Sequence, residues 1–177
     1  WVSSGRPMNS AVVGSRIVFE GWRSDTSFAV FVSDGTPEGT QLLVDPNPGT
    51  APTEFKGFTS LGDCAVFYAT QTGFGMEPWI TDGTPSGTRR IGDLVSGIGD
   101  GYPRVSDNNQ VLPQRVGGRV FIPAARSSSP SQTDFALFEY DIANMTVRSV
   151  DVGTAVPTSV LSAAGPGVVF AGRTATS

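Results

Sequence analysis

Histidine is missing from this sequence, Cys64 is its only cysteine and Lys56 its only lysine, and no apolar run approaches membrane-spanning length. Each absence removes a class of chemistry. Without imidazole there is no histidine-dependent serine or cysteine triad, and with one thiol there is neither an internal disulfide nor a thiolate–imidazole zinc site. The remaining basic residues are arginines scattered along a chain of net charge -4, so no stripe of positive charge is available to track a phosphate backbone. The lack of an apolar stretch of about 18 residues excludes a transmembrane helix. No initiator methionine and no secretory signal stand at the start, and a chain opening on Trp1 is expected to be a processed or partial piece of something longer.

What is present points to a folded, turn-rich domain. In 177 residues, 38% are hydrophobic and 16% charged, a globular balance, while 22 glycines and 13 prolines break the chain into pieces too short for long helices. A glycine followed by a short hydrophobic run recurs four times: "GSRIVF" from Gly14, "GDCAVF" from Gly62, "GGRVFI" from Gly117 and "GPGVVF" from Gly165. A small residue follows each run, at Gly21, Ala69, Ala124 and Gly172. Downstream lie "FAVFVSD", "MEPWITD" and "FALFEYD", and then Thr40, Thr88 and Thr146, each five residues before Asp45, Asp93 and Asp151. A period of about 50 residues, repeated three and a half times, is the signature of an array.

Inside a unit, β-branched and aromatic runs of four to six residues bounded by Gly, Pro, Asp and Ser predict strands. In the second unit these are expected near Phe58 to Leu61, Cys64 to Ala69, Glu77 to Thr81 and Thr88 to Asp93. Four short antiparallel strands per unit make an all-β, β-propeller-like array of four-stranded blades. The blades are expected at about 8–50, 53–98 and 108–155, with a partial fourth at 157–177 that stops after its second strand. They form one repeat domain, and the expectation is a segment of a larger propeller. The segments "VSDGTPEGTQLLVD" (32–45) and "ITDGTPSGTRRIGD" (80–93) are nearly the same fourteen residues written twice. Asp34 and Asp82 can accept backbone N–H bonds just downstream, Gly35 and Gly83 can take positive φ, and Thr36 and Thr40, or Thr84 and Thr88, can bond across the turn before Gly39 and Gly87 release the chain. The repeated segment is read as a structural turn, with no catalytic residue in it.

These residues resemble the bacterial ELWxxDGT (hyalin-like) repeat, whose cassette runs approximately GxELWxxDGTxxGTxLVxDIxPG. The resemblance covers Phe28 to Gly49 and Gly75 to Gly97. The Glu-Leu-Trp triplet is replaced by Ala29-Val30-Phe31 in the first unit, Glu77 and Trp79 keep two of its members in the second, and the third unit reads "YDIANMT" without DGT. The resemblance implies a propeller-like repeat array and export from the cytoplasm, with no catalytic residue to transfer. The turn is also similar to the Asp box of sialidase-type propellers, where the motif is structural. A sialidase would require a tyrosine nucleophile, for which Tyr68, Tyr102 and Tyr140 are the available residues, and an arginine cluster.

Other groups invite chemistry. Glu20, Glu54, Asp63 and Glu77 are candidates for the paired carboxylates of glycoside hydrolysis, though the sequence singles out no pair. Asp45 and Asn47 in "DPNPG", with Asp93 and Asp100 near "GIGDG", supply oxygen ligands of the kind calcium takes, without the dense spacing of a dedicated loop. "NMT" at 144–146 satisfies the N-glycosylation triplet. Trp1, Trp22 and Trp79 could stack on sugars or pack between blades. Cys64 takes the place of Arg16 and Arg119 in its sister units, which predicts partial exposure.

The expected function is a non-catalytic, secreted, cell-surface or periplasmic propeller serving as a scaffold or protein-binding module, a structural subunit of a larger surface or membrane-associated assembly. Its expected partners are other proteins or further blades, with no nucleic acid, no obligatory cofactor and calcium as the candidate ion. A glycan-binding module and a carbohydrate-active propeller enzyme are the alternatives.

Overall fold

In a computed structural model the chain is described for residues 9–23, 27–49, 53–103, 111–125, 135–152, 155–165 and 167–174. Every regular element among them is a strand. The first sheet is β1 (Ser10–Val13), β2 (Arg16–Trp22), β3 (Phe28–Ser33) and β4 (Gln41–Val44), and the second is β5 (Phe55–Ser60), β6 (Ala65–Gln71), β7 (Gly75–Thr81) and β8 (Arg89–Arg90). The third is β9 (Gln114–Val116), β10 (Arg119–Ala125), β11 (Phe135–Asp141) and β12 (Thr146–Ser149), and the fourth is the pair β13 (Ala155–Ala164) and β14 (Gly167–Thr174). Within each sheet the strands lie in chain order and pair antiparallel. The array of four-stranded blades with a final two-stranded sheet is therefore what the period predicts.

Two details differ from expectation. The last strand of the second blade forms a ladder only at Arg89 and Arg90, because Gly92 and Asp93 already belong to the loop leaving the sheet. The second strand of that blade runs on past Ala69 to Gln71, and Gly21, Ala69 and Ala124 are all buried within the second strands of their blades.

The core lies between blades. In β6, Ala65, Phe67 and Ala69 pack on Val18, Val30, Val32 and Leu43 of the first blade. Val66 and Tyr68 point the other way, onto Val120, Ile122 and Tyr140 of the third. The strand period of two thus serves two neighbours at once, and nearly every β6 side chain is apolar for that reason. A third cluster joins Phe121 and Leu137 of the third blade to Val168 of the fourth sheet. Phe58, Phe67 and Trp79 stack with centroids 5.0 and 6.2 Å apart on the side facing the first blade, so Trp79 is blade-to-blade core.

Because strands alternate in direction, the first and third turns of every blade share one end, the turn face. The middle hairpins and the blade-to-blade connections share the other, the connection face. Contacts agree: Gly14 N–H donates to Gly62 O (2.8 Å) at the turn face, and the Arg16 guanidinium lies against Gly83. At the opposite end Tyr68 O–H donates to Pro123 O (2.5 Å), linking the second blade to the third.

Candidate functional site

On the turn face the two DGT segments fold identically. Asp82 Oδ1 accepts the Thr84 amide (2.8 Å) and hydroxyl (2.6 Å), Thr84 Oγ1 accepts the Gly87 amide (3.0 Å), and Thr88 Oγ1 donates to Thr84 O (2.6 Å). In the first blade Asp34, Thr36, Gly39 and Thr40 repeat this at 2.9, 2.7, 3.0 and 2.7 Å. The Thr36 hydroxyl and amide hold the Asp34 carboxyl below its ordinary range. Gly35 and Gly83 have φ of 95° and 80°, which a side chain would resist. A Cβ at Gly39 or Gly87 would overlap the aspartate carboxylate folded above it. One member escaped the sequence reading: Ser33 or Thr81, just before the aspartate, bonds hydroxyl to hydroxyl with Thr40 or Thr88 (both 2.7 Å) and accepts the Gly35 or Gly83 amide. In the third blade Asp141 instead accepts the Asn144 amide (3.0 Å) and side chain (3.1 Å), and Met145 takes φ of 55°. Asn144 of the glycosylation triplet is exposed at this turn.

The connection face holds the calcium candidates in two separate loops. Asp45 is engaged by Arg23 (2.5 Å) and by the Asn47 amide (3.0 Å). Asn47 reaches into the second blade, donating to Thr53 Oγ1 (3.1 Å) and Thr70 O (2.8 Å) and accepting from the Thr72 amide (2.8 Å) and hydroxyl (3.0 Å). Asp93 accepts the Gly97 amide and Asp100 the Met76 amide, both at 3.3 Å. Among the described residues no group of three or more acidic or thiol side chains is placed to hold a metal ion.

Glu77 is fully buried near this face. Its carboxylate accepts the amides of Leu94 (2.9 Å) and Val95 (3.3 Å) in the loop after β8. Burial raises its pKa to about 7, against the two amides and Arg90, which lower it, and with Asp93, which adds to the rise. Glu77 thereby ties the third strand to the segment "DLVSG" that follows the fourth. In the first blade Ala29 occupies the equivalent position, and Arg23 with Asp45 performs the loop-holding task instead.

The other carboxylate candidates have partners of their own. Asp63 sits at the opposite end, ion-paired with Arg115, which also donates to Leu61 O (3.3 Å) and contacts Cys64 Sγ at 3.7 Å. Glu54 is exposed beside Lys56, and Glu20 is buried and accepts from Asn9 (2.7 Å) with its pKa raised by burial. Tyr68 is buried, its phenol pushed well above the ordinary range by desolvation and then by Tyr102 and Glu77, which disfavours the phenolate a nucleophile needs. Cys64 is buried, not partly exposed, because the Arg115 side chain crosses over it, and burial raises its thiol pKa. Trp1 and the loop 126–134 lie outside the described residues.

A structure assigned as TolB from Agrobacterium tumefaciens aligns over 96% of this chain and 53% of its own, with TM-score 0.47 and 14% identity. TolB from Acinetobacter baumannii aligns over 96% and 41%, with TM-score 0.44 and 13% identity. The chain thus spans about half the length of these structures. No family model and no curated protein matches the sequence.

Proposed function

We propose that this protein is a non-catalytic, exported propeller module of the ELWxxDGT-repeat type that binds another protein through its connection face and serves as a scaffold within a larger surface or periplasmic assembly. The observation that carries the reading is a contrast between the two ends of the blades. On the turn face the hydroxyls and carboxylates of the two DGT segments are occupied within the turns themselves, and Met145 of the third turn is an exposed apolar side chain there. On the connection face Trp22 is exposed over Phe28 at 4.2 Å, Ile98 stands out from its loop, and Arg90 stacks on Phe74 at 3.4 Å. Exposed aromatic and aliphatic side chains beside a half-buried arginine are the composition of protein-binding hot spots. Asp63 lies at the opposite end from Glu77, held by Arg115, and the reading assigns no catalytic pair, cofactor or metal.

A density map of the native assembly at side-chain resolution tests this. The expected result is a neighbouring protein over Trp22 and Ile98 burying more than about 1,000 Å². An ion or sugar ringed by carboxylates in the central channel, with the connection face bare, would overturn it. Glycan binding is the second reading, favoured by the exposed Trp22 ring. It requires array binding that Trp22→Ala abolishes.

A further inference from the structure

The loop that follows β8 closes over the start of β7, around a buried carboxyl group. Glu77 is fully buried and receives the amides of Leu94 (2.9 Å) and Val95 (3.3 Å). The far end of the loop presses on the same group, since a Cβ at Gly101 would come within 2.8 Å of Glu77 Oε2. Gly101 N–H donates to Met76 O (2.6 Å), Asp100 accepts the Met76 amide (3.3 Å), and Gly75 leaves room for the Gly99 carbonyl, which a Cβ would overlap. Between these anchors Ile98 stands 83% exposed.

A cation lies near that carboxyl group without pairing to it. The charged and titratable groups around Glu77 are Tyr68 of β6, Arg90 of β8 and Asp93 of the loop, and of these Arg90 alone is cationic. Arg90 pairs in register with Trp79, which places it on the face of the sheet that Glu77, two residues earlier in β7, shares. Its guanidinium stacks on Phe74 at 3.4 Å, and among the described residues its Nη1 is a buried donor without an acceptor. Glu77 therefore has two sets of partners within reach: the loop amides it holds and a cation it does not.

We propose that Glu77 is a proton-operated latch: while protonated it stays beneath the loop and keeps residues 94–101 closed over β7, and on losing its proton to solvent it turns to Arg90 and lets the loop open. The cause is the cost of keeping an ionised carboxylate from water with only two amides to offset it. Burial raises the Glu77 pKa to about 7 from the ordinary 4.5, with Asp93 adding to the rise and the amides and Arg90 opposing it. Release toward Arg90 restores an ordinary or lower value, so the open form gains as pH rises from about 4.5 and gains nothing further above about 7. Ala29 and Ala136 stand at the equivalent positions of the first and third blades, so among the three the latch belongs to the second. The consequence for Ile98, that a partner grips the closed loop best in mild acid, rests on the connection-face reading, whereas the latch itself does not.

Amide hydrogen exchange of the 177-residue chain, with no partner present, tests the latch at the Leu94 and Val95 amides from about pH 4 to about pH 8, each rate divided by its base-catalysed rate in an unstructured chain. The expected result is an opening equilibrium that rises roughly tenfold per pH unit, about 300-fold in all, and levels off above about pH 7. Glu77→Gln keeps an acceptor oxygen but cannot ionise, and should hold the opening flat. Arg90→Met removes the cation that the released carboxylate meets, and should make the rise smaller. A wild-type opening that does not change with pH overturns the proposal. So does protection at Leu94 and Val95 equal to that of the β6 amides at every pH, which would mean that the loop opens only when the whole blade does. A rise unchanged or steeper in Arg90→Met would mean that water takes the released carboxylate, and overturns the turn to Arg90.

Discussion

At the scale of the residue, the second glycine of each DGT segment is held more tightly than its spacing suggests. Gly87 is where the Asp82 carboxylate folds over the chain to bond Thr84, so a methyl group there must expel a carboxylate already fixed by two donors. Gly87→Ala should destabilise the protein by about 1–3 kcal/mol in denaturant unfolding, the range for breaking such a turn. Gly118, where a Cβ would meet nothing within 4 Å, provides the control and should cost far less. Equal effects would mean that Asp82 swings aside freely. Glu77 supports a second prediction. Its folded pKa of about 7 exceeds the ordinary 4.5, so the unfolded chain ionises first as pH rises. Stability from this group is full below about pH 4.5 and is lost as pH climbs through about 7, a total fall of roughly 3 kcal/mol. The difference in unfolding free energy between wild type and Glu77→Gln should change by about that amount between pH 5 and 8. A pH-independent difference would show that Glu77 ionises as easily folded as unfolded.

At the scale of the element, strand identity and order followed from sequence because each blade is bounded by turn residues whose requirements are local: Gly14, Gly62, the DGT segments. Strand ends were less legible. β8 is shorter than its composition suggests because Glu77 draws Leu94 and Val95 into a loop, a contact 17 residues long in sequence and invisible to periodicity. The loop "DPNPG" shows the same limit. That Asp45 meets Arg23 and that Asn47 is a strut between blades cannot be read from its spacing. Asn47→Ala would strand the Thr72 amide and remove both donors, so a loss of about 2–3 kcal/mol is expected, above that of one hydrogen bond. Asn47→Asp, which keeps the acceptor for Thr72 but cannot donate to Thr70 O, should fall between wild type and alanine. If both variants melt with the wild type, the strut carries no stability.

At the scale of the molecule, the repeat period gave the blade count, but which residues of a strand face which neighbour is decided only when blades stack. Ala65 and Val66 are equally apolar in sequence and belong to different interfaces. Stability in such an array is a sum of blade terms and nearest-neighbour interface terms. The second blade has both faces covered, by the Val18 cluster on one side and the Ile122 cluster on the other, whereas in the first Val12, Ile17 and Leu42 are exposed. Amide hydrogen exchange in dilute protein should therefore be slowest in β6 and β7 and faster in β2 and β3. Phe67→Ala removes the ring stacked between Phe58 and Trp79 and should cost about 3–5 kcal/mol. Its effect should be directional: protection falls in β2, β3 and β6, while β10 and β11, which touch the other face of β6 through Val66 and Tyr68, keep theirs. Protection lost equally in all three blades would mean that the array opens as one cooperative unit, and that its interfaces are coupled beyond nearest neighbours.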